Sequence, residues 1–124
     1  RPHEAVDYVA RTGVDALAVA VGSSHAMTTR DAVLDLELIS ALRAAVPVPL
    51  VLHGSSGVPD ETLRAAVRHG MKKINIATHL NKTFTGAIRD HLAADERVVD
   101  SRVYLATART AVATEVTRLL KVLA

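Results

Sequence analysis

Apolar and polar positions along the chain change period several times, and each change marks an element. Ala5, Val6, Val9 and Ala10 recur at helical spacing over residues 2–11, and Thr12-Gly13 ends that stripe. Residues 14–21 form an almost wholly apolar run, which predicts a central parallel strand with both faces covered. Gly22-Ser23-Ser24-His25-Ala26 follows at its carboxyl end, and the mixed polar stretch 27–34 reads as a loop. Leu36, Leu38, Ile39, Leu42 and Ala45 predict a helix over 35–46, stopped by Pro47. The short apolar run 48–53 predicts a second strand and ends in His53. A small-residue turn, Gly54-Ser55-Ser56-Gly57, leads to Pro59 and the acids Asp60 and Glu61. Those acids open a helix over 60–69, where they favour the helix dipole, and Gly70 suits its C-cap. Lys72 to Thr78 predicts a third strand, and residues 79–92 predict a helix with Leu80, Phe84, Ala87, Ile88 and Leu92 on one side. After a polar break at 95–100, Val112, Val116, Leu119, Leu120 and Leu123 stripe a final long helix over 101–124.

The order is one helix, then strand and helix three times, then one more helix. Parallel strands joined by helices imply right-handed crossovers and an α/β sheet. All three strand ends, 22–25, 53–57 and 75–78, then lie on one face. In a TIM barrel that face carries the active site, and in an open doubly wound sheet it carries the ligand crevice. No linker or low-complexity segment interrupts the pattern.

Composition narrows the classes. The 124 residues suffice for one domain, and a mean hydropathy of +0.21 supports a packed core. Aromatic residues make up only 2%, too few for base-stacking platforms. The net charge of +2 is spread through mixed acids and bases, so no basic patch argues for nucleic acid. The absence of cysteine excludes disulfides, thiolate catalysis and Cys-ligated zinc, and is compatible with a cytosolic location. No apolar run reaches the roughly 18 residues of a membrane span, and no signal peptide is visible. The chain opens at Arg1 rather than methionine, which leaves the expectation of a natural start further upstream.

Chemistry concentrates at the strand ends. His25 and His53 each close an apolar strand, and on neighbouring strands both imidazoles reach one point above the sheet. Two histidines suit zinc, although a catalytic zinc takes three protein ligands and an open position; a strand-end histidine can equally cap a backbone group. Gly54 to Gly57, feeding a helix N-terminus, can present N–H groups to a phosphate, or be a turn chosen for its geometry alone. Asn75 and Thr78 supply an amide and a hydroxyl; Asn is disfavoured within a β-branched run, so Asn75 serves either a ligand or a neighbouring loop. His3, His69 and His91 fall on helices as surface residues, and the pair Asp90-His91 lies mid-helix, far from the strand ends. His79 starts a helix and stays open.

The blocks Val14 to His25, Pro49 to Pro59 and Lys73 to Thr78, with their spacing, resemble the class II, zinc-dependent ketose-bisphosphate aldolases. The shorter fructose- and tagatose-bisphosphate branch is the most similar, and the segment from Asp100 to Leu105 with the final helix resembles the end of that branch. The resemblance implies a TIM (β/α)8 barrel of about 250 residues, of which this chain is the C-terminal part with the last three strands. It implies His25 and His53 as two of three zinc ligands. It implies Gly54, Ser55 and Ser56 as the phosphate loop for dihydroxyacetone phosphate, and Asn75, Ile76, Ala77 and Thr78 as the second substrate-binding strand end. A monovalent cation, Na+ or K+, is implied beside Ser24, Ala26, Gly54 and Ser56. Ala26 departs from the family's glycine after the first zinc histidine. The Asp-His pair of an earlier strand, which carries the proton-transferring aspartate and the third zinc histidine, has no counterpart, so no catalytic residue is expected in this chain.

The implied chemistry is aldol cleavage or formation of a ketose 1,6-bisphosphate, with zinc polarising the ketone and stabilising the enediolate. The phosphate loop positions the substrate away from the reacting carbons. The implied partner is a phosphorylated sugar, without nucleic acid or membrane, in a homo-oligomer of the full-length protein. Tagatose bisphosphate or a phosphorylated deoxy-keto sugar acid is an alternative substrate, and a non-catalytic phosphate-binding half-barrel is the reading from another class. Three strands leave two open edges, which predicts self-association of the isolated chain.

Overall fold

A computed structural model describes residues 1–23 and 28–124. Helix α1 (Pro2–Thr12) begins with Pro2 in its first turn and ends at Gly13, whose φ of 67° is left-handed. It is followed by β1 (Leu17–Val19), α2 (Leu36–Ala45), β2 (Leu50–Leu52), α3 (Asp60–His69), β3 (Met71–Ile74), α4 (Thr78–Ala94) and α5 (Ser101–Leu123). Asp35 and Asp100 cap α2 and α5 by accepting the N–H groups of Leu38 and Arg102.

The three strands are parallel in the order β1-β2-β3. Leu17, Ala18 and Val19 face Leu50, Val51 and Leu52. On the other side Leu50 opposes Met71 while Val51 opposes Lys73, so the ladder slips by one residue there. The central strand is thus β2, and all three of its residues are buried. Of the run 14–21, three residues, Leu17–Val19, form β1 and pair with β2. Burial along it alternates: Leu17, Val19 and Val21 turn inward, whereas Ala16, Ala18 and Ala20 are exposed. The third strand also ends early, at Ile74 rather than Thr78, because Thr78 is already helical.

The core joins Leu50 and Leu52 of the sheet to Val9, Ile39, Leu42, Leu63, Ala66 and Val122 from the helices. Ile39, Leu50, Leu52 and Leu63 are fully buried. The helices neighbour one another in the order α1, α2, α3, α5, α4, so the last helix stands between α3 and α4. Gly22 makes the turn out of the β1 run: its φ is 110°, and a Cβ there would sit 2.3 Å from the Val33 carbonyl oxygen. No helix of the described residues is long and apolar enough to cross a membrane.

Candidate functional site

The three strand ends meet. The Ser23 hydroxyl, after β1, donates to the His53 carbonyl at 2.5 Å. The Asn75 N–H, after β3, donates to the Leu52 carbonyl at 3.0 Å, and the Asn75 amide nitrogen lies 3.5 Å from His53 Nδ1. Lys73 Nζ donates to the Asn75 amide oxygen at 2.5 Å. Asn75, disfavoured in a strand, therefore sits just past one, between a lysine and a histidine. The exposed His53 and the half-buried Ser23 share a cavity of about 250 Å³ with Ala18, Val19, Ala20 and Gly54.

The turn after His53 is built from its small residues. Gly54 takes φ 65°, a left-handed conformation that glycine adopts without strain, and Ser55–Gly57 make one 3-10 turn. The buried Ser55 hydroxyl turns back to the Leu52 carbonyl at 3.2 Å, so what Ser55 offers a ligand is its backbone. The Ser56 hydroxyl, also buried, accepts the N–H of His79 at 3.0 Å and that of Ala77 at 3.3 Å. Helix α4 has no capping side chain at its own N-cap, Ala77. Ser56 supplies the cap from 23 residues upstream. Ile76 packs against the core, and Thr78 opens α4 half-buried. Of the expected ligands, His53, Gly54, Ser55, Ser56 and Asn75 to Thr78 are thus gathered around one turn. Ser24, His25 and Ala26 lie outside the described residues.

Among the described residues no group of three His, Cys, Asp or Glu stands close enough to hold a metal ion. His53 has the donor chemistry of a zinc ligand and stands exposed at the strand end, so it fits as one member of a zinc set. Three other histidines fall into inter-helix contacts. His69 Nδ1 meets the Ser40 hydroxyl at 2.8 Å, and His91 Nδ1 meets Thr107 at 3.1 Å. His79 Nε2 meets Glu115 at 2.7 Å.

A charged network behind the turn is absent from the sequence-level expectations. Arg30 donates to the Val58 carbonyl through Nε at 3.0 Å and Nη2 at 2.5 Å, and pairs with Asp60 at 2.7 Å. Arg118 pairs with Asp60 and, at 2.7 Å, with Glu115. Hydrogen bonds from Arg118 hold the Asp60 carboxyl below its ordinary pKa, helped by Arg30. The same guanidinium, then His79, pulls Glu115 down to about 2, and the two carboxylates push Arg118 up. One signal for this was legible: Glu115 stands three residues after Val112 and four before Leu119, on the apolar stripe of α5.

Comparison with known proteins adds the family. The family model described as fructose-bisphosphate aldolase, class II, matches residues 1–124. Among solved structures the chain is similar to the YdjI aldolase from Escherichia coli K12, at 32% identity and a TM-score of 0.81, covering 99% of this chain and 44% of that one. It is similar to a putative fructose-1,6-biphosphate aldolase from Coccidioides immitis, at 25% identity and 0.77, covering 98% and 42%. It shares the fold of the fructose-bisphosphate aldolase of Campylobacter jejuni, at 19% identity and 0.82, covering 99% and 45%. The chain spans less than half the length of each of these relatives. Its parallel strands and helices have the arrangement of the C-terminal part of a TIM barrel. With all 124 residues matched and an aldolase about a third identical over nearly the whole chain, the chain belongs to the class II fructose-bisphosphate aldolase family.

Proposed function

We propose that this chain carries the phosphate-binding side and two zinc ligands of a class II aldolase that cleaves and forms a ketose 1,6-bisphosphate through dihydroxyacetone phosphate. The observation that carries this is the meeting of Ser23, His53 and Asn75 beside the Gly54 to Ser56 turn. His53, together with His25, would hold the zinc, which when bound supplies Lewis-acid polarisation of the substrate ketone. The Gly54 to Ser56 turn, held against the start of α4 by the Ser56 hydroxyl, would supply backbone N–H groups to the phosphate. Asn75 orients the His53 imidazole, as ligand histidines usually require of a neighbour. Gly54 and Ser56, with Ser24 and Ala26, would also offer oxygens to a monovalent cation. The proton-transferring aspartate and the third histidine have no counterpart at these strand ends, so the 124 residues alone are expected to bind substrate phosphate and zinc without turnover.

Zinc titration of the chain and its His53→Ala variant tests this, followed by dihydroxyacetone phosphate binding with and without zinc. Zinc uptake lost with His53, and ligand affinity raised by zinc, support the proposal. Steady aldol cleavage by the 124 residues would overturn the division of labour. The alternative is a non-catalytic phosphate-binding half-barrel. It predicts phosphate binding that zinc does not change.

A further inference from the structure

The loops after β1, β2 and β3 are joined behind the candidate pocket by a chain of ion pairs and hydrogen bonds between side chains. Arg30 comes from the first loop, Asp60 from the start of α3, and His79 from the first turn of α4. Between them stand two residues of α5, Arg118 and Glu115. Asp60 stands between two guanidinium groups, and Arg118 between two carboxylates. Glu115 receives Arg118 at 2.7 and 3.0 Å and His79 at 2.7 Å; Asp60 receives Arg30 at 2.7 Å and Arg118. Isolated exposed ion pairs contribute little, but Glu115 and His79 keep only 18% and 21% of their side-chain surface. Half-buried, charge-assisted bonds in a connected chain reinforce one another.

The network ends on backbone that shapes the pocket. Arg30 bonds the Val58 carbonyl, directly after the 3-10 turn, and Ala32 N–H bonds the Gly57 carbonyl at 2.9 Å. His79 carries the N–H that Ser56 caps. Lys82 Nζ adds a bond to the Thr28 carbonyl at 3.0 Å.

We propose that Glu115 and Arg118 are positioning residues for the phosphate pocket: from α5, through Asp60, Arg30 and His79, they lock the loops after the three strands into one unit. The identity of the pocket's ligand rests on the function proposed above, whereas the coupling of the loops does not. The variants are Glu115→Gln, which keeps the shape and removes the charge, and Arg118→Met, which keeps the apolar stem. Arg109→Ala, on the exposed side of α5, is the control.

Two readouts on the whole chain separate the proposal from general destabilisation. Amide exchange of Ala32, Ala77 and His79 is expected to accelerate at least about threefold, with Leu17 (bonded to the Pro49 carbonyl) unchanged. Inorganic phosphate, as the probe, is expected to bind at least about threefold more weakly to both variants and unchanged to the control. Equal acceleration at Leu17, or none at the loop amides, overturns the proposal. Accelerated loops with unchanged phosphate affinity overturn the positioning role. If the unaltered chain binds no phosphate, the proposed function fails, and the exchange pattern alone decides whether the loops are coupled.

Discussion

The hydroxyl of Ser56 receives the backbone N–H of His79 at 3.0 Å, and through that bond the turn after β2 caps a helix that belongs to β3. Ser56 also takes the Ala77 N–H, so two of the orphan donors of α4 end on one buried oxygen. Ser56 thus holds the start of α4 in register with the turn after β2.

Ser56→Ala is expected to lower stability by about 1 kcal/mol, the ordinary size of a lost N-cap. Urea unfolding of both proteins measures it. A change within error would mean that water replaces the hydroxyl.

Leu63 and Leu120 lie on opposite sides of the burial scale, at 0% and 63% exposed. Leu63→Ala is expected to lose about 2–5 kcal/mol by opening a cavity between α3 and the sheet. Leu120→Ala is expected to stay within about 0.5 kcal/mol. The same denaturation experiment reads both.

Gly22 and Gly86 form a second contrast. A Cβ at Gly22 meets the Val33 carbonyl oxygen at 2.3 Å on a backbone with φ 110°, so Gly22→Ala is expected to lose at least about 1 kcal/mol. Gly86 lies inside α4 with nothing within 4 Å of its added Cβ, so Gly86→Ala is expected to gain about 0.5–1 kcal/mol. Thermal melts of the two variants should move in opposite directions.

The carboxylates of the network set an acid dependence. Glu115 falls from 4.5 to about 2 in the folded protein, and Asp60 is also lowered. A depressed folded pKa stabilises above the unfolded value and loses that stabilisation as pH falls through the folded one. Stability should therefore decline from about pH 4.5 towards pH 2, and Glu115→Gln should flatten part of that decline. Unfolding free energies at several pH values, compared between the two proteins, check the slope. A parallel decline in both would exclude Glu115 as a source.

The amphipathic stripes read well for α2 and α3, because a helix on a core needs them, but Leu92 of α4 and Leu120 of α5, read as stripe members, are exposed. The α3 boundaries, 60–69, are the expected ones, set by Pro59 before it and Gly70 after. The ends of β1 and β3 were less legible. An apolar run of eight residues does not say how many of its residues find a ladder partner, and only Leu17, Ala18 and Val19 do. Thr78 was expected to end a strand and instead starts a helix, because a serine from a different loop caps it.

What the sequence by itself determined is local and periodic: the alternation of strands and helices, the small-residue turn after His53, and the three motif blocks that resemble the family. These follow from nearest-neighbour geometry and from side-chain type. Only the tertiary structure decided which ends of those elements hold one another. That Asn75 leans on His53, that Ser56 caps α4 and that α5 reaches the strand-end loops through Arg118 are contacts between residues 22 to 58 positions apart. Nothing in a local pattern encodes such pairs. They arise when packing α3 on the sheet, and α5 on α3 and α4, brings polar groups out of water, where each must find a partner of the right charge.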